Sequence, residues 1–264
     1  MTSDNSHGPI VGGQAGGSAN AAATPQPQLS VPEGLITAVV ELVGTGPVAL
    51  GAYTLAELTA VDAVVDFLEV RPSDEVLAEA VRSLAARQLL VANPNGRLQV
   101  RGDLGIALAF QQRAGSVLDA RATGTKPGEP WRVLLLPQAE GIALEIRIDA
   151  LGVHELGLYT TEESIERLAE WLPDGREGDT DDLPAVEELL AAAQRTALVT
   201  MTEYTTDGSV ETAGDSKDLV LAQRDEELYA FGRSHQDQTV LEPRPCDDGV
   251  KELVAALIRE AGSS

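Results

Sequence analysis

Two stretches of this chain repeat one another. TTEESIERLAEWL (160–172) and PCDDGVKELVAAL (245–257) each open on a polar or acidic cluster, then set branched apolar residues at helical spacing. Ile165, Leu168 and Leu172 match Val250, Leu253 and Leu257 at one offset, 250 − 165 = 85. Upstream, VLLLPQAEGIAL (133–144) aligns with LVLAQRDEELYA (219–230) at 219 − 133 = 86, and one deleted residue after that match brings the offset to 85. Strand, turn, strand and helix recur in order, which reads as an internal duplication of a helix–meander–helix unit. An antiparallel meander with one apolar face cannot bury that face alone. Two of them can, in one shared sheet or face to face. The expected fold is α+β: two quasi-repeated β-meander/helix halves forming an antiparallel sheet platform with packed helices. Each repeated helix should bury its stripe, so an acid at Leu168 or at Leu253 should unfold the chain.

The rest of the chain is placed around that repeat. Residues 1–31 are rich in Gly, Ala, Ser and Pro, offer little to bury and read as a tail. The domain is expected over 32–260, its halves at about 48–173 and 183–260, with the acidic DGREGDTDD (174–182) as a solvated linker. That linker is no calcium hand, because the twelfth position from Asp174 is Ala185 and a bidentate glutamate is needed there. EGLITAVVELV (33–43) reads as a short helix and VALGAY (48–53) as a strand. Thr54 stands three before Glu57, a capping-box spacing, and the helix it opens carries Leu58, Val61, Val65 and Leu68. Ser73 caps the next helix, whose apolar face is Val76, Leu77, Ala80, Val81 and Leu84. A strand, an Asn95–Gly96 turn, a second strand and a helix at about 103–114 follow.

Strands are then expected at 116–124, 129–137, 141–148 and 154–159, ahead of the helix that Thr160 and Glu163 cap. After Pro184 comes a helix, VEELLAAAQ. The β pattern returns as TALVTMTEY, a TTDG turn, SVETAG, KDLVLAQ, EELYAFGR and TVLEP, and a helix at 247–260 closes the chain.

Charge narrows the function classes. Lys and Arg number 19 against 42 Asp and Glu, a formal net charge of −23, and no cation precedes Arg71. Such a chain repels phosphate backbones, so nucleic acid is not an expected partner. The helix–helix–hairpin–helix string over 54–114 resembles a winged helix, and a transcriptional regulator is the alternative function. Its cations, Arg71, Arg82, Arg87, Arg97, Arg101 and Arg113, are outnumbered by Glu57, Asp62, Asp66, Glu69, Asp74, Glu75, Glu79 and Asp103, which favours a role in protein interaction. No apolar run approaches the ~20 residues of a membrane span, and the N-terminus does not read as a secretory signal. The single cysteine, Cys246, allows no internal disulfide and no multi-cysteine zinc site. A reducing cytoplasm is the expected compartment.

No catalytic set emerges, and no cofactor or metal is expected. His7 lies in the tail, and His154 and His235 stand at strand borders. HExxH, GxSxG, CxxC and Walker patterns are absent. Cys246 stands near a helix N-terminus that could lower its pKa, but no histidine is local to serve as its base. Trp131 and Trp171 read as packing residues. What remains is a binding surface, which the second meander could supply through Leu219, Leu221, Tyr229 and Phe231 with the TTDG hairpin beside it; the same four would equally serve as core.

Three stretches, YTLAELTAVDAVVDFLEVRP (53–72), EAVRSLAARQLLVANPNGRLQV (79–100) and the C-terminal half from RTALVTMTEYTTDG to DDGVKELVAALI, are similar to the EspG family of ESX (type VII) secretion-associated chaperones. The resemblance covers about residues 48–260 and is one of order and pattern, since no catalytic motif marks that family. It implies a cytosolic, non-enzymatic chaperone. Its partner would be a secreted helical protein, a PE–PPE pair or a WXG100-like one, whose apolar tip it caps. The oligomeric state stays open between monomer and weak dimer.

Overall fold

A computed structural model of the chain describes residues 31–61, 72–95, 97–179, 185–207, 210–233 and 240–261. The elements run α1 (Glu33–Val43), β1 (Val48–Thr54), α2 (Leu55–Ala60), α3 (Asp74–Ala86), β2 (Leu90–Ala92), β3 (Leu98–Val100), α4 (Gly102–Arg113) and β4 (Ser116–Thr123). Then come β5 (Arg132–Pro137), β6 (Ile142–Ile148), β7 (Val153–Thr160), α5 (Thr161–Trp171), β8 (Arg176–Glu177) and α6 (Val186–Ala192). β9 (Arg195–Asp207), β10 (Val210–Arg224), β11 (Glu227–Arg233), β12 (Leu241–Arg244) and α7 (Gly249–Ala261) complete the chain. Among the described residues the fold is α+β, with one large sheet ordered β1-β7-β6-β5-β4-β9-β10-β11-β12, β8 beside β11, and a separate β2–β3 hairpin.

The large sheet reads the same from either side of its centre. Val133 pairs with Ala120, Ala120 with Val199, and Val199 with Leu219. The Ala120–Val199 pair therefore lies on a pseudo-two-fold axis that carries β4 onto β9 with an offset of 79 (199 − 120) and β5 onto β10 with the 86-residue offset (219 − 133) of the sequence match. The structure corrects where the deletion falls. Pro137 pairs with Ala143 across five residues, whereas its counterpart Gln223 pairs with Leu228 across four. The lost residue thus belongs to the turn inside the hairpin, so the offset is already 85 along β6 and β11. The helical match holds at two of its three positions, since Ile165 and Val250, and Leu172 and Leu257, are all buried in one cluster. The buried residue of α7 nearest in place to Leu168 is Val254, an offset of 86 (254 − 168). Leu253, the sequence match of Leu168, is only half-buried.

Alternate strand residues serve opposite faces. On one face Leu118, Ala120, Val133, Leu135, Val199, Met201, Leu219 and Leu221 are covered by α5 and α7, which pack against each other. On the other, Leu134, Leu136, Ile142, Leu144 and Ile146 are covered by helices α1 to α4, and Ala222, Tyr229 and Phe231 by α6. β5 and β6 are buried on both sides, as the run Val133–Leu136 implies. Glu145 is 1% exposed because α5 lies over it.

Local signals hold. Thr54 and Thr160 form capping boxes with Glu57 and Glu163, and the Ser73 hydroxyl accepts from the Val76 N–H. On α3, however, Val76 is exposed and Ala80 and Leu84 carry the burial. Val65, Leu68 and Gly96 lie outside the described residues. The β2–β3 turn is organised by Asn93, whose Oδ1 accepts the N–H groups of Asn95 and Arg97 at 3.0 and 2.9 Å. VETAG (210–214) and KDLVLAQ lie in one strand, β10, with a bulge between Ala213 and Ser216 where the composition suggested a break. In the sequence α1-β1-α2-α3-β2-β3 the strand β1 pairs with β7, not with the β2–β3 hairpin, so the winged-helix string is built into the platform.

Two boundaries move. Val31 packs against the first core, so the folded part starts one residue earlier than composition suggests. Half of the acidic linker is also docked. β8 pairs in parallel with β11, the Gly178 N–H donates to the Leu228 carbonyl at 2.9 Å, and Glu177 accepts the Cys246 N–H at 2.9 Å. Its glycines are there for closeness. A Cβ at Gly175 would lie 2.7 Å from the Glu226 oxygen, and one at Gly178 would overlap the Tyr229 ring.

Candidate functional site

The four residues placed on a binding face by sequence are core. Leu219 and Leu221 point under α5 and α7, and Tyr229 and Phe231 under α6. Both faces of β10 and β11 carry a helix, so alternation leaves neither strand an open side there. The residues with chemical potential are likewise enclosed. His154 is buried; burial holds its pKa below the usual range, and its Nδ1 lies 3.0 Å from the Gly152 carbonyl. Cys246 is buried, and burial together with Glu177 and Asp247 pushes its thiol up, opposite to the effect expected of a nearby helix N-terminus. Trp171 is buried and donates its indole N–H to the Pro130 carbonyl, while Trp131 is partly exposed and donates to the Asp149 carbonyl. His7 and His235 lie outside the described residues. Among the described residues no group of His, Cys, Asp and Glu could hold a metal ion.

The open surface is at the centre of the sheet, on the face away from α5 and α7. Val117, Asp119 and Arg121 of β4 and Leu198, Thr200, Thr202 and Tyr204 of β9 line a trough of about 160 Å³. The helices of the first half lie on one side and α6 on the other. Leu198 is 38% exposed on its floor. The polar floor is internally satisfied. Arg132 makes a bidentate contact with Asp119, 2.8 Å at each oxygen, and Arg121 reaches the same carboxylate at 2.9 Å. Thr200 donates to Asp218 at 2.8 Å, Arg233 pairs with the other oxygen of Asp218, and Thr202 bonds Ser216 at 3.1 Å. Beyond the trough the β9–β10 hairpin runs on past the last partner of β9 on β4, Glu203 opposite Ser116.

This arrangement is suited to contact. It offers side-chain shape and charge, and the lining carries no nucleophile–base pair. A signal for it existed in the sequence. In TALVTMTEY, Leu198, Thr200, Thr202 and Tyr204 alternate with apolar Ala197, Val199 and Met201, and in SVLDARATG, Asp119 and Arg121 alternate with Leu118 and Ala120. Two strands with a mixed face mark an open strip only once they are known to be neighbours. The chain matches no protein-family model and no curated protein. No helix among the described residues is long and apolar enough to cross a membrane.

Proposed function

We propose that this chain is a non-enzymatic chaperone or adaptor of the EspG kind. In this reading it works in the cytoplasm, binds a helical type VII secretion substrate of the PE–PPE or WXG100-like class, keeps it soluble and directs it to its secretion system. One observation carries the reading: a two-fold-related sheet platform whose central strands, β4 and β9, leave one face uncovered between flanking helices. The strongly acidic surface supports it, since a soluble acidic cap can hide an apolar helical tip that would otherwise aggregate. The test is co-expression of the full chain with a panel of PE–PPE and WXG100-like pairs, followed by size-exclusion chromatography with light scattering. A complex of fixed stoichiometry, and more soluble substrate than without the chain, is the expected result. If no pair co-elutes and substrate solubility is unchanged, the chaperone reading fails.

A further inference from the structure

The trough constrains what can occupy it. Its floor is two strands wide, about 10 Å at the ~4.8 Å strand spacing, which is the diameter of one α-helix. Along β9, Leu198 to Tyr204 spans about 20 Å, the length of roughly 13 helical residues. An added strand has no place there. Both edges of β4 and of β9 are paired, β4 with β5 and β9, and β9 with β4 and β10, so no backbone edge is open for augmentation along this stretch. The floor hydroxyls of Thr200 and Thr202 already bond Asp218 and Ser216, so an apolar stripe can lie across them without orphaning a polar group.

Charge adds a direction. Arg121 reaches the Asp119 carboxylate, which also holds the buried Arg132, and the Arg121 side chain is 52% exposed. On a chain of net charge −23, it sets an exposed cation on this rim. We propose that the trough seats one amphipathic α-helix of a partner protein, its apolar stripe on the exposed Leu198 beside the buried Val117, and an Asp or Glu side chain facing Arg121. The identity of that partner as a secretion substrate rests on the chaperone reading, whereas the geometry does not.

The test uses the full chain, ¹⁵N-labelled, and two synthetic helix-stabilised peptides of about 14 residues. Both carry a leucine stripe, flanked by glutamates in one and lysines in the other. The Glu peptide should shift the amides of Leu198, Thr200 and Thr202 saturably. The Lys peptide, and the Glu peptide on Arg121→Glu, should bind about tenfold more weakly. The overall charge of the chain favours the Lys peptide, so a preference for glutamate reports the trough itself. Leu198→Asp, at a half-exposed site that tolerates a charge in the fold, should abolish the shifts. Shifts confined to other regions, equal affinity for the two peptides, or no saturable binding would overturn the proposal. The two readings separate cleanly. A PE–PPE pair held equally well by wild type, Arg121→Glu and Leu198→Asp would sink the trough and leave the chaperone. A Glu peptide seated in the trough of a chain that binds no such pair would do the reverse.

Discussion

β6 and β11 hold equivalent places in the two halves, yet Glu145 in one stands where Ala230 stands in the other. Glu145 is buried beneath α5 and shared by Arg147 at 3.3 Å and Arg167 at 3.0 Å, and the Arg167 guanidinium stacks 4.4 Å from the Tyr159 ring centre. In the second half Ala230 lies with Leu228, Val250, Val254 and Leu257 in one apolar cluster. The counterpart of Arg147 is Gly232, whose missing Cβ leaves room for the Arg244 side chain. One strand pairing thus supports two kinds of helix attachment, one ionic and one apolar. The opposite face differs as well, since the first half carries α1 to α4 and the second only α6. That inequality leaves β4 and β9 uncovered between them.

The largest expected effects come from charging the equivalent buried positions. Leu168→Asp and Val254→Asp should each cost about 4 kcal/mol or more, because both side chains are fully buried in the apolar cluster. Leu253→Asp should cost less than half of that, since its side chain reaches solvent. Urea denaturation of the three variants decides which residue of α7 takes the place of Leu168. Equal damage at Leu253 and Val254 would mean that both share it.

Next in size is the ionic attachment. Glu145→Ala strands two guanidinium groups, both partly open to water, and should cost about 2–3 kcal/mol. Replacing Arg167 by Met in the same chain should recover part of the loss, since only Arg147 is then left without the carboxylate. A double variant no more stable than Glu145→Ala would mean that α5 is held by its apolar stripe alone. Gly178→Ala should cost less, about 1–2 kcal/mol, by pushing β8 off the Tyr229 ring. Hydrogen exchange of the amide at position 178, which bonds the Leu228 carbonyl, should quicken in that variant. An unchanged rate would mean that β8 contributes no protection, as a solvated linker would not.

Much of this fold was legible because its signals are local. The capping boxes at Thr54 and Thr160 and the both-faces-buried run Val133–Leu136 need only neighbouring residues to be read, and the duplicated meander needs only two such local patterns compared. One position of the helical match was not legible, because a match of apolar types cannot separate Leu253 from Val254. Only the sheet beneath α7 decides which of the two is buried. The docked linker was invisible for a related reason. Gly175 and Gly178 look like flexibility in sequence, and their role in close approach to Glu226 and Tyr229 depends on a strand far along the chain. The trough needed the β4–β9 pairing, and Leu219, Leu221, Tyr229 and Phe231 became core once α6 and α7 were seen on opposite faces.

The smallest effect expected is a pH dependence carried by the first half. His154 lies on β7 opposite Tyr53 and Ile148, and its folded pKa is depressed, chiefly by burial and further by the Arg132 charge; the Gly152 carbonyl pulls the other way. The unfolded chain takes up a proton near the ordinary value of 6.5 while the folded one resists it. Stability is therefore fully present above pH 6.5 and falls as the pH drops from there through the depressed folded value. Glu57 also loses stability in acid. Burial pushes its pKa up, but the hydrogen bonds from Thr54 and Ser83 and the charge of Arg87 outweigh that and hold it below 4.5, so its window lies lower. Melting temperatures of wild type and His154→Phe, measured between pH 8 and the carboxylate range, should diverge below 6.5, with the variant flatter. Parallel curves would assign the loss to carboxylates and leave His154 as packing alone.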